Sequence, residues 1–185
     1  MNQGEVVEYS RRTIQIKDQG DIEQILQDLS SLPDLMVVNI AGSADQKPIL
    51  FSLENLQAIL AAAPESLIVE ALPIRQYKRL MCDRIDQAIE STLSLRAMLR
   101  TQFVAELAAQ IREFAARLDR ILPLLNCHAL QKTKSGFAEN MQKLRTSLGQ
   151  LDASCREHGD NVRCMDDLQY EILPPLKGLL KLFRK

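Results

Sequence analysis

The chain has 185 residues, 46% hydrophobic and 25% charged, with a formal net charge of −1. That is room for one medium domain or two small ones, and no apolar run approaches the roughly 20 residues of a membrane span. Aromatic content is 4%, with no Trp, which is sparse for an enzyme pocket or a base-stacking surface.

The small net charge hides an asymmetry. Residues 1–71 carry 4 basic and 11 acidic side chains, a net of −7, whereas residues 72–185 carry 19 and 13, a net of +6. The split predicts two modules with different surfaces. Either the halves attract each other or are simply solvated, or the basic half meets an acidic partner. The polar, acidic start Met1-Asn2-Gln3-Gly4-Glu5 has no signal-like pattern, so a cytoplasmic protein is expected.

The first module, residues 1–72, alternates short strands and helices. Val6-Val7-Glu8-Tyr9 and Thr13-Ile14-Gln15-Ile16 are β-rich. They flank Ser10-Arg11-Arg12, which reads as a hairpin connection without the strongest turn residues. Asp21 is placed to cap a helix whose face is Ile22, Ile25, Leu26 and Leu29, and Ser30 to Asp34 ends it. Leu35 to Ile40 reads as a buried strand, Ala41 to Gln46 as a loop, and Pro48 to Phe51 as a short strand. Ser52 caps a helix through Leu53, Leu56, Ile59 and Leu60, which Pro64 ends. Leu67 to Ala71 closes the module as a strand. The order suits an α+β module of the β-grasp, or ubiquitin-like, kind; a flavodoxin-like alternative has too few βα units.

The second module, residues 73–185, reads as an antiparallel bundle of about four helices with a basic C-terminal tail. From Ile74 to Leu122 there is neither Gly nor Pro. One unbroken helix of that length would exceed about 70 Å. Two apolar series run through it, Ile74-Tyr77-Met81-Ile85-Ala88-Leu95-Leu99 and Phe103-Leu107-Ile111-Phe114-Leu118-Ile121-Leu125, with 3-4 spacing. Arg100-Thr101-Gln102 between them is the expected hinge of a helical hairpin. Asn126 to Gly136 is expected to be a linker. Phe137, Met141, Leu144, Leu148 and Leu151 then mark a third helix. After His158-Gly159-Asp160, with Asp160 or Asn161 as cap, Val162, Met165, Leu168, Ile172 and Leu176 mark a fourth. Pro174 and Pro175 should kink or end it, because proline removes a donor and clashes with the preceding turn.

Several constellations invite a chemical reading. Cys127-His128, Cys155-x2-His158-x5-Cys164 and their neighbours could supply zinc ligands. The pattern lacks a CxxC, and partly buried thiols are the default for a cytosolic chain; a Cys155–Cys164 disulfide would need an oxidising setting. A Cys and His adjacent in sequence are not the usual catalytic pair, whose partners meet in space. Asp166, Asp167 and Glu171 form an acidic face that reads as solvated or as a match for basic residues. There is no phosphate-cradling glycine loop. No catalytic, cofactor-binding or metal-binding residue is therefore assigned, and no cofactor is expected. The basic face Arg75, Lys78, Arg79 and Arg84 has only Tyr77 interleaved, which argues against nucleic acid. The tail from Leu176 to Lys185 either packs Leu176, Leu179, Leu180 and Phe183 onto the bundle or lies as an amphipathic helix on a membrane surface or in a partner's groove.

One segment carries a resemblance. Asp167-Leu168-Gln169-Tyr170-Glu171-Ile172-Leu173-Pro174 resembles the C-terminal pattern D-LLEYEL-P-L of a group of bacterial proteins in which a β-grasp-like module precedes helices. The motif spans about ten residues. The chain departs from it with Gln169 in place of an acid and with a doubled proline. The group has no established activity, so the resemblance implies no catalytic residue. The expectation is a non-enzymatic interaction or adaptor protein binding protein partners through helical faces, with dimerisation through the long helices as the simplest partnership. The alternatives are a membrane-surface or nucleic-acid-associated regulator using the basic half, and a Cys/His metal-binding protein.

Overall fold

A computed structural model describes residues 9–16, 22–32, 34–131, 136–157 and 160–184, without the side chains of 129–131, 152 and 155–157. The architecture is α+β. Strands β1 (Ser10–Gln15), β2 (Leu35–Ala41), β3 (Ile49–Leu50) and β4 (Ser66–Pro73) are joined by helices α1 (Ile22–Ser30) and α2 (Leu53–Leu60). Helices α3 (Ile74–Met98), α4 (Val104–Gln131), α5 (Phe137–Glu157) and α6 (Asn161–Asp166) follow; a π-helical segment (Asp167–Ile172) then leads into α7 (Leu173–Arg184). The chain groups into two units, one of Met1–Tyr77 with Asn126–Thr133, the other of Lys78–Leu125 with Lys134–Lys185.

In the first unit the sheet order is β1-β4-β2-β3, and every pairing is antiparallel. β2 and β4 are buried along nearly their whole length, the environment that makes a strand read as a continuous apolar run. β2 changes phase at Val38. Val37 pairs with Ala71 but Asn39 with Glu70, so Val38 is an extra residue, a β-bulge. Before the bulge odd residues face the core (Leu35, Val37); after it Ile40 does. The backbone N–H of Phe51 meets the Val38 carbonyl at 2.7 Å. Ile25 and Leu29 of α1 and Leu56 of α2 complete this core, with Ile22 and Leu26 at its edge. Ser52 caps α2, its Oγ accepting from the Asn55 N–H at 3.1 Å.

One expectation here is corrected. Ser10-Arg11-Arg12 is not a turn but the first half of β1, paired with Ala71, Glu70 and Val69. The residues are exposed and polar because β1 pairs on one side only among the described residues; edge strands favour such side chains. Val6 to Glu8 and the Asp21 cap lie outside the described residues.

In the second unit the hairpin forms as expected, with α3 ending at Met98 and α4 starting at Val104. A cleft lined by residues 90–98 and 110–117, and another by 84–91 and 114–121, show the two helices running antiparallel. Ile74, at the start of α3, is half-buried; from Met81 to Leu125 the two apolar series are buried with one exception. Phe103 is 72% exposed, and Val104 at 2% takes the inward place. Thr92 fills the gap in the first series, its hydroxyl satisfied by the Ala88 carbonyl at 2.8 Å.

The expected linker at 126–136 is corrected in its first half: α4 runs through Pro123 to Gln131, Gly136 lies in a turn before α5, and residues 132–135 lie outside the described residues. The cause is tertiary, since Cys127 and His128 are buried within the first unit. Nor do Pro174 and Pro175 end the last helix. The backbone widens into a π turn just before them, with the Leu173 N–H bonding the Leu168 carbonyl five residues back. A wider turn moves the preceding carbonyls away from the proline rings, and no N–H is demanded of the prolines. It also suits the 4-4 spacing of Leu168, Ile172 and Leu176, which overshoots a 3.6-residue turn; all three are fully buried.

Candidate functional site

Cys127 sits in the core of the sheet unit. Its Sγ donates to the Phe51 carbonyl at 3.2 Å and lies 3.8 Å from the Val38 carbonyl. Burial pushes the thiol up to about 12, so it stays protonated at neutral pH. Nucleophilic and ligand chemistry both need the thiolate. His128 is buried beside it and lies parallel to Tyr77, with ring centroids 6.0 Å apart and planes at 5°. Tyr77 is fully buried, and desolvation, with a smaller contribution from Cys127, raises its phenol well above the ordinary value. The arrangement joins the first turn of α3 to the end of α4 by packing.

Cys82, Cys127 and Cys164 are thiols, and Cys82, half-buried, is raised by desolvation. The Cys155 side chain and His158 lie outside the described residues. Among the described residues no group of three or more His, Cys, Asp or Glu is placed to hold a metal. Asp166 and Glu171 are exposed. Asp167 accepts from the Ser154 hydroxyl at 2.8 Å, tying the π segment to α5. The tail forms α7, with Leu173, Pro175, Leu176, Leu179, Leu180 and Phe183 buried and Lys177, Lys181 and Arg184 exposed. Phe183 meets Phe137 edge-on at 6.0 Å, and Arg184 reaches Asp86 at 2.7 Å. No described helix is long and apolar enough to cross a membrane.

Two surfaces of the helical unit stand out among the described residues. The first is at the tip of the hairpin. Asn161 donates from Nδ2 to the carbonyls of Leu99 (2.8 Å) and Gln102 (2.7 Å), and its Oδ1 accepts from the Val104 N–H (2.9 Å). One side chain thus serves the C-terminus of α3 and the N-terminus of α4, ends that lack intrahelical partners. Asp160 caps α6 instead, accepting from Val162 and Arg163. The clamp holds Gln102 and Val104, the neighbours of Phe103, to Asn161, the neighbour of Val162; Phe103 and Val162 are 72% and 61% exposed.

The second surface is the groove between α3 and α4. A cleft of about 220 Å³ is lined by Arg84, Arg117 and Arg120 around Ala88, Phe114 and Ile121. A neighbouring cleft of about 320 Å³ shares Ser91, Phe114 and Arg117 with it and adds Glu90, Glu113, Leu95 and Met98. In the sequence Arg84 groups with Arg75, Lys78 and Arg79 as a basic face, while Arg117 and Arg120 stand apart on the second long helix. The available signal was their i, i+3 spacing beside Phe114 and Ile121, which puts all four on neighbouring rows of one helix.

No family model, curated protein or solved structure matches the chain.

Proposed function

We propose that the protein is a non-catalytic interaction or adaptor protein that binds protein partners through its helical unit. The observation that carries this reading is the clamped hairpin tip. Phe103 and Val162 are large apolar side chains held in the open on the two segments that the Asn161 side chain joins, and exposed apolar surface of this kind marks interaction sites. Leu93 and Tyr170, 44% and 66% exposed, give α3 and the π segment further contact points. Aromatic side chains are favoured as interface anchors because they bury much area with few rotamers to lose.

The alternative of a membrane surface served by the tail has less to work with. The apolar stripe of α7 is buried inside the unit, leaving its cationic side chains as the only means of attachment. A cytoplasmic setting and kinship with the bacterial group sharing the Asp167–Pro174 pattern belong to the same proposal. So does a ubiquitin-like sheet module, supported by α1 packing on the sheet. The antiparallel β1–β4 ladder departs from the parallel pairing of first and last strands in that fold.

The test combines sedimentation velocity with affinity capture from the native cell, using wild type and Phe103→Ser/Val162→Ser. Wild type should self-associate or retain a defined partner, and the double variant should lose it with an unchanged thermal midpoint. A strictly monomeric protein that retains nothing would sink the reading.

A further inference from the structure

Cys164, Leu168, Ile172 and Leu176 are fully buried at a spacing of four residues. Val162, Asp166, Tyr170 and Pro174, each two residues earlier and so on the opposite side of the helix, are all exposed. The π segment keeps both rows straight, because a wider turn brings every fourth residue back into line. The exposed row continues in Lys177 and Lys181 of α7. From Val162 to Lys181 it spans about 28 Å at 1.5 Å per residue.

The charges along this row are sorted. Asp166 and Glu171 lie on one side of Pro174, Lys177 and Lys181 on the other, and all four are exposed. None of the four makes an ion pair or side-chain hydrogen bond among the described residues. Their neighbours are already engaged, Arg184 with Asp86 and Asp167 with Ser154. The backbone adds an acceptor. The Leu173 N–H bonds the Leu168 carbonyl, and Pro174 and Pro175 have no N–H, so the Tyr170 carbonyl has no donor within the helix. Between the two charged stretches stand Pro174 and Tyr170, the latter 66% exposed and of the side-chain type that anchors interfaces.

A face that is acidic in one half and basic in the other, with apolar groups at its centre, is complementary to itself when turned end over end. Isologous contacts have this property, each patch meeting the same patch on the other copy. Nucleic acid or an anionic membrane lying along the row would be repelled by its acidic half. We infer that the protein self-associates through this face: two copies lie antiparallel along α6, the π segment and α7, about a two-fold axis near Pro174. Asp166 and Glu171 of each copy meet Lys181 and Lys177 of the other. Tyr170 packs on the other copy's Pro174 and on the stem of its Lys177, whose ammonium donates to the open Tyr170 carbonyl. Arg163 and Arg184 approach each other only at the rim, where salt screens the repulsion. The inference rests on the interaction reading and deepens it by naming one partner, a second copy, on a surface centred on Pro174.

The experiment is sedimentation velocity over a concentration series of the full chain at about 0.15 M salt. Wild type should show a reversible dimer with a micromolar Kd. Asp166→Lys/Glu171→Lys and Lys177→Glu/Lys181→Glu should each raise the Kd by about tenfold or more. An equimolar mixture of the two variants should restore the dimer, which also shows that both are folded. Arg112→Glu, on the exposed side of α4, should leave the Kd unchanged. Pro174→Cys, on the axis, should cross-link as a symmetrical disulfide under mild oxidation. A strictly monomeric wild type, a dimer indifferent to both charge reversals, or a mixture that is not rescued overturns the inference. A dimer lost only in Phe103→Ser/Val162→Ser also overturns it and leaves the hairpin-tip reading standing. Charge-reversed monomers that still capture a partner from the native cell support this face and keep that reading. A wild type that neither dimerises nor captures a partner removes both.

Discussion

Cys127 shows how far a residue's meaning depends on its surroundings. In sequence it stands next to His128 and resembles chemistry; in the fold it is a core side chain whose thiol donates to a backbone carbonyl. The consequence is a pH dependence of stability. The thiol's ordinary value is 9.0 and its folded value about 12, and Tyr77 is shifted in the same direction. A raised value means the folded state holds its proton more tightly. The stabilisation is fully present below pH 9 and is lost as pH rises through the folded value, at up to about 1.4 kcal/mol per pH unit per group. Urea midpoints should fall from pH 9 upward, and Cys127→Ala should flatten that fall while costing about 1–2 kcal/mol at pH 7. A midpoint independent of pH between 9 and 11 would contradict it. Two glycines differ in their surroundings. A Cβ on Gly178 would lie 2.5 Å from Asn140 Oδ1, whereas one on Gly149 meets nothing within 4 Å. Gly149→Ala should therefore stabilise by about 0.5–1 kcal/mol through helix propensity, whereas Gly178→Ala must displace the Asn140 amide, which donates to the Gly136 carbonyl, and should gain less. Denaturant melts of both variants check the order. Asn161→Ala leaves two carbonyls and one N–H at the hairpin tip without their partner, and a loss of about 1–3 kcal/mol is expected. None of these signs was legible beforehand, since each depends on what lies opposite.

Among the elements, periodicity was the reliable guide. Leu168, Ile172 and Leu176 were expected on one face and are all buried, and the break between α3 and α4 falls at the polar hinge. What periodicity lacked was the neighbour. Phe103 fits its series but falls at the turn, where Val104 points inward. The double proline reads as a stop because its cost is local, and the π turn that accommodates it is paid for by the packing of α7. Leu176, Leu179, Leu180 and Phe183 are each buried to 8% exposure or less, and at about 1.5–3 kcal/mol apiece they rival the whole stability of a typical domain. Truncation after Leu173 should therefore leave the second unit without fixed tertiary packing. The expected signature is retained far-UV but lost near-UV circular dichroism; a cooperative unfolding transition in the truncated chain would refute it. Ser10-Arg11-Arg12 failed in the other direction, because a polar tripeptide becomes strand when a central strand such as β4 offers it a ladder.

At the scale of the molecule, the change from short alternating elements to long helices near residue 73 was plain in the sequence. The composition of the sheet unit was not. That unit includes Asn126–Thr133, so a fragment of residues 1–72 lacks Tyr77, Cys127 and His128. Expressed alone, it should show poor amide dispersion and a broad unfolding transition, whereas sharp dispersion and cooperative unfolding would show that the returning helix end is dispensable. The same contrast governs function. Charge totals foretold a basic helical half, and its distribution between Arg84 on α3 and Arg117 and Arg120 on α4 emerged only when the hairpin closed. The sequence by itself determined which residues turn inward along each helix and strand, because local period and solvent exclusion act on neighbours in the chain. The tertiary structure alone decided the pairing of β1 with β4, the passage of the helix through Pro174 and Pro175, the recruitment of Cys127 and the arginine cluster between α3 and α4. Those depend on contacts between residues far apart in sequence, where burial and hydrogen-bond satisfaction outweigh local preference.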